Sequence, residues 1–118
     1  MEKLIIKLQN SEEEEGIFEF VDVDNAGGVV YNYKGKPFNG IIQHCDGDRI
    51  VYEEEFTDGH IGGVQREYYE NGQMKSEYFK YFAKPEGDWR EWGEQGNLLY
   101  HSIWKEGEKV KIIVPRKA

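Results

Sequence analysis

The side chains in this sequence best suited to chemistry are three histidines, His44, His60 and His101, and one thiol, Cys45, beside the first of them. A structural zinc site needs four ligands at short, closed spacings, such as C-x2-C followed by a second pair. One thiol and scattered imidazoles do not make that set, so no metal and no cofactor are expected. A thiolate nucleophile needs a base placed to take its proton, and no surrounding motif supplies one for Cys45. A buried free cysteine is the simpler reading. Asp and Glu total 23 in 118 residues, so a carboxylate pair flanking a glycosidic bond would arise by chance. The glycines spell no phosphate-binding loop, and none opens a helix. No catalytic residue is therefore expected, and the chain reads as a non-enzyme.

Acids and rings remain. The formal net charge is −8, and it is unevenly placed. Residues 1–60 hold 14 acids against 5 bases, while residues 61–118 hold 9 against 10. Nucleic-acid and anionic-membrane binding both need clustered Lys and Arg, so neither partner is expected. An acidic half suits a basic protein partner, or serves solubility alone. The acid-rich set comprises Glu12 to Glu15, Asp22, Asp24, Asp46, Asp48, Glu53, Glu54, Glu55 and Asp58. Of these, Asp46, Asp48, Glu53, Glu54, Glu55 and Asp58 are the candidate partner-binding acids. Tyr52, Tyr69 and Trp89 are the candidate aromatic anchors, since interfaces favour large rings. The competing reading of each ring is core packing or cross-strand pairing.

The elements that must position these residues announce themselves through turns. Gly47, Gly72 and Gly96 stand 25 and 24 residues apart, and Gly59, Ala83 and Gly107 fall between and beyond them at steps of 24. Repetition at such a period means one small supersecondary unit laid down several times. Asn71-Gly72 reads as a type I′ hairpin turn, with Asp46-Gly47, Asp58-Gly59, Gln95-Gly96 and Glu106-Gly107 as weaker versions. Helix signals are nearly absent. Strands are expected near 4–8, 17–23, 29–33, 38–44, 50–56, 63–69, 73–80, 87–93, 97–104 and 110–114, with residues 9–16 as a loop. The expected fold is all-β: an antiparallel meander of repeated hairpins forming a single twisted sheet in one domain. Its units would be cap strands at 1–30, repeats at 31–59, 60–83 and 84–107, and a last strand and tail at 108–118. Charges along Glu53-Glu54-Glu55 would discourage strands from adding between molecules. The apolar run at Leu4-Ile5-Ile6 is too short for a secretory segment, and with one cysteine the chain reads as soluble and cytoplasmic.

Tyr31-Asn32-Tyr33-Lys34-Gly35-Lys36-Pro37-Phe38-Asn39-Gly40, then Gly63-Val64-Gln65-Arg66-Glu67-Tyr68-Tyr69-Glu70-Asn71-Gly72-Gln73-Met74, resemble bacterial MORN-variant repeats. The likeness rests on a glycine, an aromatic pair a few residues later, a turn and a short strand. It covers about residues 31–107. The third copy departs, with Trp92-Gly93 where the aromatic pair would be and Gln95-Gly96 for the turn; the first is shorter before Gly47. The resemblance implies consecutive β-hairpins. It further implies a binding module, either an immunity or antitoxin-type protein that neutralises a cognate toxin, or a scaffold that self-associates or organises other proteins; the acidic first half makes a cationic toxin the expected partner. It carries no catalytic residue over.

Overall fold

In the computed structural model, which describes residues 3–9 and 16–117, the chain forms one open sheet of twelve strands measuring 45 × 34 × 28 Å. The strands are β1 Leu4–Gln9, β2 Glu19–Val23, β3 Val29–Tyr33, β4 Lys36–Pro37, β5 Gly40–Asp46 and β6 Arg49–Thr57. They continue with β7 His60–Tyr68, β8 Met74–Tyr81, β9 Lys84–Pro85, β10 Gly87–Trp92, β11 Leu98–Lys105 and β12 Glu108–Val114. The main path runs β1-β5-β6-β7-β8-β10-β11-β12, with β2, β3 and β4 joined to it through a bridge between Val30 and His60. The all-β meander expected from the turn spacing is what forms. It has two departures: β3 bridges β7, which is not its neighbour in sequence, and β1 lies parallel to β5, with Leu4 opposite Gly40 and Gln9 opposite Cys45. Gly40 permits this approach, because a Cβ there would run into the Leu4 carbonyl oxygen and the Phe38 ring. No helix among the described residues is long and apolar enough to cross a membrane.

Two kinds of turn alternate. Lys34-Gly35, Asp58-Gly59, Phe82-Ala83 and Glu106-Gly107 each place both residues at positive φ, between 47° and 84°, and they recur every 24 residues. This mirror-image conformation matches the right-handed twist of the flanking strands. Three of the four contain glycine. Phe82 and Ala83 adopt the conformation against the clash of their own Cβ atoms, at about 1–2 kcal/mol per residue. The second kind corrects the expectation for Asn71-Gly72. Only Gly72 has positive φ there, and the loop is closed by Tyr69 N–H donating to the Gln73 carbonyl and Gly72 N–H to the Tyr69 carbonyl. The Asn71 side chain accepts from Gln73 N–H at 2.9 Å and donates to the Glu94 carbonyl at 2.8 Å, so its polar atoms tie neighbouring loops together. Register shifts sit at His44/Cys45, Glu67/Tyr68 and Glu91/Trp92, near the end of each long hairpin.

The apolar core lies at the amino-terminal end. Leu8, Phe18, Tyr31, Phe38, Ile42 and Phe56 pack together, with Phe18 and Phe38 ring centres 4.8 Å apart and Phe38 and Phe56 5.6 Å apart. Burying each such side chain stabilises the fold by about 1.5–3 kcal/mol. Further along the sheet the buried set turns polar, with Gln65, Ser76 and Ser102 joining Val64 and Tyr100. There cross-strand pairs carry more of the load. One row in register reads Glu53, Arg66, Glu77, Arg90 across β6, β7, β8 and β10, alternating in charge, and ends at His101 on β11. Arg66 Nε donates to Glu77 at 2.8 Å within it.

Candidate partner-binding surface

The acids picked out from the sequence part into two groups. Asp46 and Asp48 are exposed at the β5–β6 turn, and Asp58 is exposed at the β6–β7 turn. The nine residues of β6 separate these ends by about 30 Å. Asp46 approaches Arg49 at 3.5 Å, and Asp58 N–H donates to the Asn39 side chain at 2.9 Å. No single acidic cluster forms from them.

Glu53, Glu54 and Glu55 belong to the interior of the sheet, which corrects the expectation that they guard an edge. β6 is flanked by β5 and β7 along its length. Glu53 is buried, accepting from Gln43 Nε2 at 2.8 Å and from the Tyr68 hydroxyl, with Arg66 at 3.9 Å. Burial, then the Glu53 carboxylate, push the Tyr68 hydroxyl up to about 12. Glu54 is half-buried and meets His44 Nε2 at 2.9 Å. Glu55 is buried, accepting from Val64 N–H at 2.9 Å and pairing with Lys3. Its carboxyl lies over Gly63, which has φ of 104° and no Cβ to obstruct it. These carboxylates hold the sheet together.

Tyr52, Tyr78 and Trp89 lie on β6, β8 and β10, and Tyr69 lies in the loop after β7. Tyr52 stacks on His44 with centres 3.9 Å apart, and Trp89 stacks on Tyr78 at 4.1 Å. Tyr69 donates to the Trp92 carbonyl at 2.7 Å, and Trp89 Nε1 donates to Glu91 at 2.9 Å. Tyr52, Glu53, Glu54 and Tyr78 border a shallow groove of about 400 Å³, while Tyr69, Trp89 and Tyr78 border an adjoining one of about 340 Å³. Burial, with Glu67 and Glu54 nearby, raises the Tyr78 hydroxyl above its ordinary value. Stacked on their neighbours, Tyr52 and Trp89 serve the sheet as well as any contact surface.

A larger groove, about 610 Å³, lies elsewhere, between the β2–β3 loop and the β8–β9 turn. Asp22 and Asp24 line it with His60, Tyr81, Phe82, Lys84, Glu86 and Glu106. His60 Nδ1 meets Asp24 at 3.1 Å, and the same carboxylate accepts from the N–H groups of Ala26 and Gly28. Burial works to raise the Asp24 carboxyl, but these donors, His60 foremost, outweigh it and hold the group below its ordinary value. Sequence reading named Asp22 and Asp24 among the acids but missed Tyr81 and Phe82; the only signal was Ala83 standing where a turn glycine belongs. Glu12 to Glu15 lie outside the described residues.

Cys45 is buried with its thiol directed at the Gln43 carbonyl, 3.7 Å away. Among the described residues no group of three His, Cys, Asp or Glu side chains could hold a metal ion. Comparison of the chain with family models, curated proteins and solved structures returns no match.

Proposed function

We propose that this chain is a non-enzymatic protein-binding module of the immunity or antitoxin kind, a bacterial MORN-variant repeat protein that occupies a cognate basic toxin. The observation that carries this reading is an open sheet whose like turns recur every 24 residues, offering long shallow grooves bordered by aromatic rings and carboxylates. Repeat sheets of this build present extended surfaces. Exposed acids able to meet a basic partner include Glu19 and Asp22 of β2 and Asp46, Asp48, Asp58 and Glu106 of the turns. Such charges accelerate encounter, and buried rings then set the lifetime of a complex. The test is co-expression with the product of the neighbouring reading frame, followed by co-purification. Protection of the host and a stable complex support the proposal; a harmless neighbour that does not bind ends it.

A second reading, self-association into a scaffold, is favoured by β12. Among the described residues this strand ends the sheet, pairs only with β11, and exposes Val110, Ile112 and Ile113. An unpaired edge of that composition accepts another strand readily. Light scattering across a concentration series separates the two: a monomer up to the highest concentration removes the scaffold.

A further inference from the structure

The groove between the β2–β3 loop and the β8–β9 turn holds two of the most outward-facing rings on the molecule. Tyr81 is 66 % exposed and Phe82 is 42 % exposed, and Val23 across the groove is 49 % exposed. Tyr81 and Phe82 meet edge to face with centres 4.6 Å apart, and Phe82 also sets its edge on His60 at 4.5 Å. A smaller cleft of about 250 Å³ continues the groove on the far side of the same three residues. Core packing does not account for rings held this far into solvent.

The sister turns supply the comparison. At Lys34-Gly35, Asp58-Gly59 and Glu106-Gly107 the same backbone is made by a polar residue and a glycine. The fold is therefore satisfied without an aromatic residue at this position. Phe82-Ala83 adopts the identical form with neither polarity nor glycine, and it alone of the four is large and apolar at its tip.

Charge says what would fit. Asp24 is engaged by His60, and Asp22, whose Oδ1 accepts Val23 N–H at 2.7 Å, lines the groove with Glu86 and Glu106; among the described lining residues Lys84 is the one lysine or arginine. Glu86 uses one oxygen to accept Glu106 N–H at 2.7 Å, keeping its carboxylate fixed at the rim. A planar guanidinium stacks on an aromatic face and pairs with carboxylates at its edges, and a neighbouring aliphatic side chain covers the remaining ring surface.

We propose that this groove is the docking site for the partner, and that its occupant is an arginine-bearing apolar segment of a basic protein, the guanidinium set between the Tyr81 ring and the Asp22, Glu86 and Glu106 carboxylates. This rests on the protein-binding reading above and gives it a place and a chemistry.

The probe is a defined peptide, acetyl-Gly-Arg-Leu-Arg-Gly-Arg-Leu-Arg-Gly-amide, titrated into the isotopically labelled full chain and followed by amide chemical shifts. Shifts should centre on Asp22 to Ala26, His60, Tyr81 to Glu86 and Glu106. Analogues with Glu for Arg, or Ser for Leu, should bind at least about tenfold more weakly. The variant F82N/A83G restores a polar-glycine sister turn without adding charge to the groove, so it should melt at a higher temperature while binding the peptide at least about tenfold more weakly. A higher melting temperature shows that the variant is folded, so its lost binding reports on the groove. Shifts centred instead on Tyr52 and Trp89 would overturn this site and leave the protein-binding reading standing. Absent shifts at millimolar peptide, or shifts indifferent to F82N/A83G, overturn it as well. Concentration-dependent shifts at the same residues without peptide would give the groove to a second copy, again against the proposal. A chain that takes the peptide here yet gives no protection against its neighbour fails only the toxin reading.

Discussion

Substituting Gly63 by alanine should be among the most damaging single-methyl changes this chain can suffer. At φ of 104° an L side chain is strained, at about 1–3 kcal/mol. The added Cβ would also overlap the Glu55 carboxyl and stand 2.7 Å from its Cγ. Glu55 must then withdraw from Val64 N–H, and an unmet buried donor costs about 1–3 kcal/mol more. Together these give about 2–6 kcal/mol. An unfolding entropy of about 2.1 cal/mol/K per residue makes each kcal/mol worth about 4 °C in a chain of 118 residues. The expected fall in melting temperature is about 8–24 °C, read by circular dichroism at constant pH. Gly62→Ala is the internal control: its Cβ would sit at an ordinary 3.5 Å from Thr57 Cβ, without positive φ, so a change within about 1 kcal/mol is expected. E55A/G63A removes the overlap and should be less destabilised than the two single changes summed, by about 1–3 kcal/mol. If Gly63→Ala melts within 2 °C of the parent, or Gly62→Ala costs as much, the reasoning about this slot is wrong.

Reversing the buried acids, Glu53→Lys or Glu55→Lys, should destabilise the fold by about 3–5 kcal/mol in urea, whereas Asp46→Lys and Asp48→Lys at the exposed turn should stay within about 0.5 kcal/mol. With a basic partner in hand, the turn variants should slow association, and unchanged kinetics would assign those acids to solubility. The raised Tyr68 hydroxyl gives a pH signature. Its stabilising contribution is complete below pH 10, the ordinary tyrosine value, and is lost as pH rises from there toward about 12, because the unfolded chain gives up that proton first. Denaturation midpoints at pH 9 and 11.5 should therefore differ more in the parent than in Tyr68→Phe; equal drops would show that Tyr68 is not the group responsible. On β12, Ile112→Lys should abolish any concentration-dependent association, and association that survives the change must use another surface.

Most of the strand plan was legible because turn residues punctuate the chain at short, regular intervals, and a meander needs only local connections. The parallel β1 was not legible, since pairing Leu4 with Gly40 is a long-range choice decided by packing over Gly40 and around Leu8. Two-residue strands at Lys36–Pro37 and Lys84–Pro85 carry prolines and no periodicity of their own. Asn71-Gly72 carries the usual hairpin dipeptide, yet the register shift at Glu67/Tyr68 changes the loop that closes there. The candidate site was read less well. A run of three glutamates looks exposed when only its own strand is considered. Its burial depends on Gln43, Tyr68, Val64 and Lys3, contributed by other strands or by the segment before β1. Phe82-Ala83 escaped because a glycine-free pair seldom makes this turn, and only the 24-residue step pointed at Ala83.

The cluster of Leu8, Phe18, Tyr31, Phe38, Ile42 and Phe56 sits at the amino-terminal end of the sheet, and β10 to β12 contribute none of its members. Growth and loss of hairpins are thereby decoupled from the keystone of the molecule. Duplicating residues 84–107 in tandem would lengthen the reach of the surface without repacking Phe18, Tyr31, Phe38 or Phe56, so a lineage built on this plan can retune what it grips by copying modules at its far end.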